Sequence, residues 1–156
     1  MTLKIGEPIP DITLPASGGR TIRLRQFAQD EQALVVYFYP KDNTPGCTLE
    51  GQDFTALHPQ FVAAGAQIVG ISRDSVRAHD NFCAKYSFTF ALLSDSEEVA
   101  CKAFDVIKEK TLYGKKHMGI ERSTFVFDAQ GKLRHEWRGV KVKEHAQAVL
   151  EIVKAL

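Results

Sequence analysis

Two hydrophobic periods alternate along this chain. The unbroken apolar run Leu34 to Tyr39 reads as a strand buried on both faces; Gln67 to Ser72, with Ile68, Val69 and Ile71, reads as the next buried strand, and Phe90 to Leu93 and Ser123 to Phe127 as further strands. Between them apolar residues recur every three or four positions, the helical period. Phe54, Leu57 and Phe61 form such a stripe in a helix expected to start at Pro45 and to stop near Ala64, with Gly65 as its C′ residue. Val76, His79, Phe82, Cys83 and Tyr86 form another, after a cap at Asp74 or Ser75. Ser94 to Glu98 opens a third helix through Phe104. A last helix, about Val142 to Leu156, is expected to bury Val142, Ala146, Val149, Ile152, Val153 and Leu156. Pro59 should kink or weaken the first of these helices.

Shorter signals fill the rest. After an extended segment with two prolines, Asp11 to Leu14 and Arg20 to Leu24 alternate around Ala16-Ser17-Gly18-Gly19, which predicts an N-terminal β-hairpin. Arg25 to Asp30 fits a helical turn. Asp128 to Gly131 is a hairpin turn, with Lys132 to Trp137 as the return strand. Val106 to Met118 is basic and without a period, and reads as a loop. Strands alternating with helices and closing in a hairpin predict an α/β fold, a mixed central sheet flanked by helices.

Composition adds mainly exclusions. The 156 residues suit one domain, 1–156, large enough for a substantial core. A 44% hydrophobic and 25% charged make-up is that of a globular chain. The net charge of +1 points to neither nucleic acid nor an acidic membrane surface. No apolar run has the length of a membrane span, and Met1 to Gly6 lacks the apolar core of a signal peptide, so a cytoplasmic location is expected. Three cysteines, Cys47, Cys83 and Cys101, are too few for a disulfide scaffold and form no Cys-x-x-Cys pair. The five histidines show no metal-ligand spacing, and no cofactor or metal is expected.

The chemistry concentrates after the first buried run. Pro40 ends that strand, and Thr44 and Pro45 have the residue types of an N-cap and a first helical position. Cys47 then falls in the first turn, where unpaired amides and the helix dipole favour a thiolate, the reactive form of cysteine. Taken alone, a buried structural cysteine is an equal reading. The neighbours decide between them. Pro40-x-x-x-Thr44-x-x-Cys47, continued by Pro45-Gly46-Cys47-Thr48-x-Glu50, resembles the active-site signature of the peroxiredoxins, more narrowly the bacterioferritin-comigratory-protein or peroxiredoxin Q subfamily. The resemblance extends over nearly the whole chain.

That resemblance implies a thioredoxin-like fold and a thiol peroxidase acting on hydrogen peroxide and organic hydroperoxides. It implies Cys47 as the peroxidatic nucleophile, Thr44 as a hydroxyl near the peroxide oxygen, and Pro40 as a shield from water. It places an active-site arginine at Arg122, just before a core strand; without the family pattern Arg122 would read as a solvated partner of Glu121. Glu50 belongs to the motif, and its minimal role is favourable charge near a helix start. Many members carry a second cysteine five residues after the first, where this chain has Gln52. Cys83 and Cys101 remain as partners for a Cys47 sulfenic acid. Resemblance to members with the second cysteine in the following helix favours Cys83 as the resolving residue. It also implies thioredoxin as reductant and a monomer. The alternative is a non-catalytic thioredoxin-fold module, which would not need Pro40, Thr44, Cys47 and Arg122 together.

Overall fold

A computed structural model describes residues 3–156. Its main sheet has seven strands: β1 (Thr13–Ala16), β2 (Arg20–Arg23), β3 (Ala33–Phe38), β4 (Ala66–Ser72), β5 (Ala91–Ser94), β8 (Ser123–Phe127) and β9 (Leu133–Arg138). The spatial order is β2-β1-β5-β4-β3-β8-β9. β3, β4 and β5 run parallel, while β8 lies antiparallel to β3 and β9 to β8. The expected N-terminal hairpin is β1–β2, joined to β5 through Ala16 opposite Leu93.

Every residue of β3 is buried, as its continuous apolar run requires. Its alternate side chains feed two cores. Leu34, Val36 and Phe38 pack with Val69, Ile71, Leu93, Phe125 and Phe127, under α1 (Gln26–Gln29) and α4 (Val99–Ala103). Val35 and Tyr37 face the other way, toward α2 (Pro45–Ala63), α3 (Val76–Tyr86) and α5 (His145–Lys154). Two glycines permit close packing on this second side. A Cβ on Gly51 would lie 2.4 Å from the Phe88 ring, and one on Gly70 would lie 2.7 Å from Leu92.

Several expectations change. Val106 to Met118 is not a loop: β6 (Ile107–Leu112) and β7 (Lys115–Ile120) form a separate two-stranded hairpin. Its two-residue turn, Tyr113-Gly114, has φ of 52° and 77°, both positive, as the twist-matched hairpin turns require. The hairpin stands apart from the main sheet and has no consistently buried face, so its sequence keeps no hydrophobic alternation. α4 starts only at Val99, because Asp95 caps it from a distance, accepting from the Ala100 and Cys101 amides at 3.1 and 2.7 Å. α5 starts at His145, leaving Val142 outside; Leu150 is buried and Leu156 is exposed. α2 continues through Pro59 as one helix, held by Phe54 and Phe61 in the core.

Candidate active site

Thr44 and Pro45 start α2 where the sequence places the start. Thr44 is extended, with φ −98° and ψ 155°, and Pro45 occupies the first turn. The cap is made by conformation alone. The Thr44 hydroxyl donates backward to the Lys41 carbonyl at 2.8 Å and makes no side-chain bond to the helix amides. That corrects the expected side-chain cap: the bond to Lys41 folds the loop instead, and the first-turn amides keep their polarity near Cys47. Pro40 lies half-buried at the start of this loop.

Cys47 is a free thiol, 2% exposed, in the first turn of α2. The β6–β7 hairpin returns the chain so that Arg122 reaches it. Glu121 N–H donates to the Val106 carbonyl, Arg122 follows, and its own carbonyl accepts from Val140. Arg122 Nη2 lies 3.4 Å from Cys47 Sγ, and Nη1 donates to Glu50 Oε1 at 2.6 Å. Gly46 eases this approach, since a Cβ there would sit 3.1 Å from Nη2 and press on the guanidinium.

The charges respond to one another. Burial pushes the Glu50 carboxyl up and Arg122 pulls it back, leaving it at about 7. Burial opposes the charge on Arg122, but Glu50 and Cys47 outweigh it and hold the guanidinium pKa above its ordinary value. Glu50 is therefore more than a favourable charge at a helix start: it fixes one edge of the guanidinium and leaves the other edge to the sulfur. Glu50 Oε2 is buried and unpartnered among the described residues. Lys110 on β6 donates from Nζ to the Ile120 carbonyl. Burial and the Arg122 charge lower its pKa, while Cys47 acts in the opposite sense. No local signal marks Lys110, because only the hairpin brings it here.

The other two cysteines are set apart. Cys83 is half-buried on α3, next to the Ser17 hydroxyl, and burial pushes its thiol up. Cys101 is fully buried in the opposite core, with burial and Asp95 pushing its thiol up strongly. All three are free thiols. Among the described residues no group of three or more His, Cys, Asp or Glu side chains could hold a metal ion. No described helix is long and apolar enough to cross a membrane.

A thiol held against a guanidinium at the start of a helix, above parallel strands, is equipped to attack an electrophile and to stabilise the charge that develops. This is the working arrangement of a thiol-based oxidoreductase on a thioredoxin-like scaffold. Residues 5–136 match the AhpC/TSA family, and the chain belongs to it. It is 58% identical over 145 residues to peroxiredoxin Bcp of Xanthomonas campestris pv. campestris, covering 93% of this chain and 89% of the relative. Against peroxiredoxin Bcp of Bacillus subtilis the identity is 46% over 154 residues, covering 99% and 97%. Among solved structures, a PrxQ cysteine-to-serine mutant from Xylella fastidiosa superposes with a TM-score of 0.93 at 48% identity, covering 99% of this chain and 98% of that one. A Xanthomonas campestris bacterioferritin comigratory protein, captured as a trapped intermediate/ligand complex and described for alkyl peroxide reduction, superposes with a TM-score of 0.90 at 54% identity, covering 98% and 96%. The protein is accordingly a peroxiredoxin, a peroxidase of the oxidoreductase class.

Proposed function

We propose that the protein reduces hydrogen peroxide and organic hydroperoxides through a sulfenic acid at Cys47, in antioxidant defence and redox homeostasis. The observation that carries this reading is the Arg122 guanidinium held 3.4 Å from Cys47 Sγ while anchored to Glu50. The Cys47 thiolate attacks one peroxide oxygen and the O–O bond breaks. The leaving hydroxide or alkoxide takes a proton and departs as water or alcohol. Arg122, always charged, stabilises the thiolate and then the negative charge spread over the oxygens. The Thr44 hydroxyl, its proton engaged by Lys41, is free to accept from the peroxide O–H. Pro40 keeps water from the loop. The alkyl peroxide reduction named for the Xanthomonas campestris relative supports organic hydroperoxides as substrates.

Cys83 then acts as the resolving residue. Its thiol attacks Cys47–SOH, the S–O bond breaks, a disulfide forms and water leaves. An external dithiol, thioredoxin in this reading, reduces the disulfide and restores both thiols. The chain works as one domain and a monomer in the cytoplasm, without a cofactor.

Peroxide consumption with dithiothreitol tests the first step; Cys47→Ser must abolish it. The second step is read by mapping linked peptides after one equivalent of peroxide. A Cys47–Cys83 peptide, together with loss of thioredoxin-supported turnover in Cys83→Ser, is the expected result. A stable Cys47 sulfenic acid beside a free Cys83 would leave a one-cysteine peroxidase.

A further inference from the structure

Cys47 and Cys83 border the same hydrophobic cluster but engage different neighbours, Arg122 and Ser17. To bond, one must leave its place. What holds α3 against the loop that begins α2 is then a question about the reaction itself. α3 has eleven residues, short for a helix to persist without tertiary support. Only two of its side chains are fully buried, Phe82 and His79, and His79 lies one turn before Cys83.

His79 is 0% exposed and bonded at both ring nitrogens. Nε2 lies 2.9 Å from the Leu93 carbonyl on β5, so Nε2 carries a proton, because a carbonyl can only accept. Nδ1 lies 2.6 Å from Asp42 Oδ2, with a proton between them. The other Asp42 oxygen accepts from the Tyr39 hydroxyl at 2.6 Å. The Asp42 backbone N–H donates to Asp74 Oδ2 at 2.9 Å, in the turn that opens α3. Asp42 belongs to the loop between Pro40 and Thr44, five residues before Cys47. One carboxylate therefore joins the start of the Cys47 helix to the middle of the Cys83 helix. Further along, Asn43 Oδ1 accepts from Tyr86 at 3.1 Å, but that bond is exposed and contributes less.

We propose that His79 is a positioning residue, a latch whose bond to Asp42 keeps α3 docked on the active-site loop and sets how fast Cys83 reaches the Cys47 sulfenic acid. The proposal rests on the Cys47–Cys83 reading above. While the latch is closed, Cys47 keeps its site beside Arg122 and reacts with peroxide. When it opens, the loop that leads into α2 and the middle of α3 are released together, because they meet at Asp42. The opening frequency then divides the sulfenic acid between two fates: water loss to the disulfide, or attack on a second peroxide to give the sulfinic acid and a second water or alcohol.

Two readouts test the latch. The first is hydrogen exchange of the α3 amides in the reduced protein. The second is the stopped-flow rate of disulfide formation after the sulfenic acid has formed. His79→Phe keeps a ring in the cluster and removes both bonds. It is expected to raise exchange in residues 76–86 and the rate of disulfide formation by about ten- to a hundredfold, as for loss of a buried hydrogen bond to a charged group. The rate of sulfenic acid formation and the protection of β3 and β4 should stay as in the wild type. Tyr39→Phe, which removes one donor to Asp42 and disturbs the core least, should move both readouts the same way by about two- to tenfold. It carries the test alone if His79→Phe does not fold. The peroxide dose that half-converts Cys47 to the sulfinic acid should rise in both variants, and this difference should vanish in a Cys83→Ser background, which a merely structural role would not produce. Unchanged α3 exchange, a rise spread evenly over the chain, or disulfide formation that stays at the wild-type rate while α3 loosens would each overturn the latch. If the wild type forms no Cys47–Cys83 disulfide, the resolving assignment and the gating fall together, whereas unchanged α3 exchange defeats the latch and leaves that assignment standing.

Discussion

The two helices that carry Cys47 and Cys83 are anchored very differently. α2 runs for nineteen residues and buries Cys47, Glu50, Gly51, Phe54 and Phe61, with proline in its first turn and an ion pair from Glu50 to Arg122. α3 runs for eleven, buries His79 and Phe82, and leaves Cys83 half-buried. Its C-terminus is closed by Ser87 in the left-handed region, with φ of 56°, where a Cβ is strained. Cys47 thus sits where the scaffold is stiff. Cys83 sits where little apolar surface opposes local opening, the condition under which segments unfold at low free energy.

Four changes break or sharpen this contrast. The largest effect is expected from Arg122→Met, which removes the charged donor at the sulfur and leaves Glu50 buried without its partner. Peroxide reduction should slow by about 10²- to 10³-fold, the range for losing one preorganised donor. Stopped-flow oxidation of Cys47 over a range of pH checks it, and a wild-type rate throughout refutes the assignment.

Next is the Glu50 carboxyl, raised from its ordinary 4.5 to about 7 in the fold, chiefly by burial. An acid whose folded-state pKa lies above its unfolded one holds a proton more tightly when folded. Its contribution to stability is present at low pH and is lost as pH rises between about 4.5 and 7. Relative to Glu50→Gln, the wild type should therefore lose up to about 3 kcal/mol across that window. Urea denaturation of both proteins at pH 5 and pH 8 measures it, and parallel pH profiles would contradict it.

Gly51→Ala tests the packing between the two helices. The added methyl meets the Phe88 ring just beyond α3, so it should destabilise the protein by about 1–3 kcal/mol, an overpacking effect. Thermal unfolding gives the value. The smallest change is Ser87→Gly, which relieves the left-handed residue at the end of α3 and should stabilise it by roughly 0.5–1 kcal/mol. It should slow disulfide formation in proportion while leaving Cys47 oxidation unchanged. A faster disulfide step would show that α3 does not have to open.

Local signals made most of the elements legible. The apolar run of β3, the Thr44-Pro45 start and Gly65 stop of α2, and the Asp128–Gly131 turn each depend on residues within a few positions. Ser75 caps α3 as its residue type suggests, accepting from the Ala78 amide at 3.1 Å. Cys47 was legible for the same reason, since a strand, a proline and a helix start determine its surroundings. The contact between Arg122 and Glu50 was not, because it spans 72 residues and depends on how the hairpin returns the chain. Thr44 shows the finer limit: its residue type predicts the cap position, but its hydroxyl turned to Lys41 once the loop had closed.

By itself, then, the sequence determined where most strands and helices lie, the β6–β7 hairpin and the starts of α4 and α5 excepted, that both sides of the central strand are buried, and which cysteine starts a helix, because periodicity and turn chemistry act over short range. Tertiary structure alone decided the strand order, the β6–β7 hairpin, the pairing of Arg122 with Glu50, and the bond from His79 to Asp42. All but the hairpin depend on pairing between groups tens of residues apart; the hairpin pairs near neighbours but lacks a consistently buried face. A chain carries no local record of such pairing when the partners are polar and the segments between them have no continuous buried face.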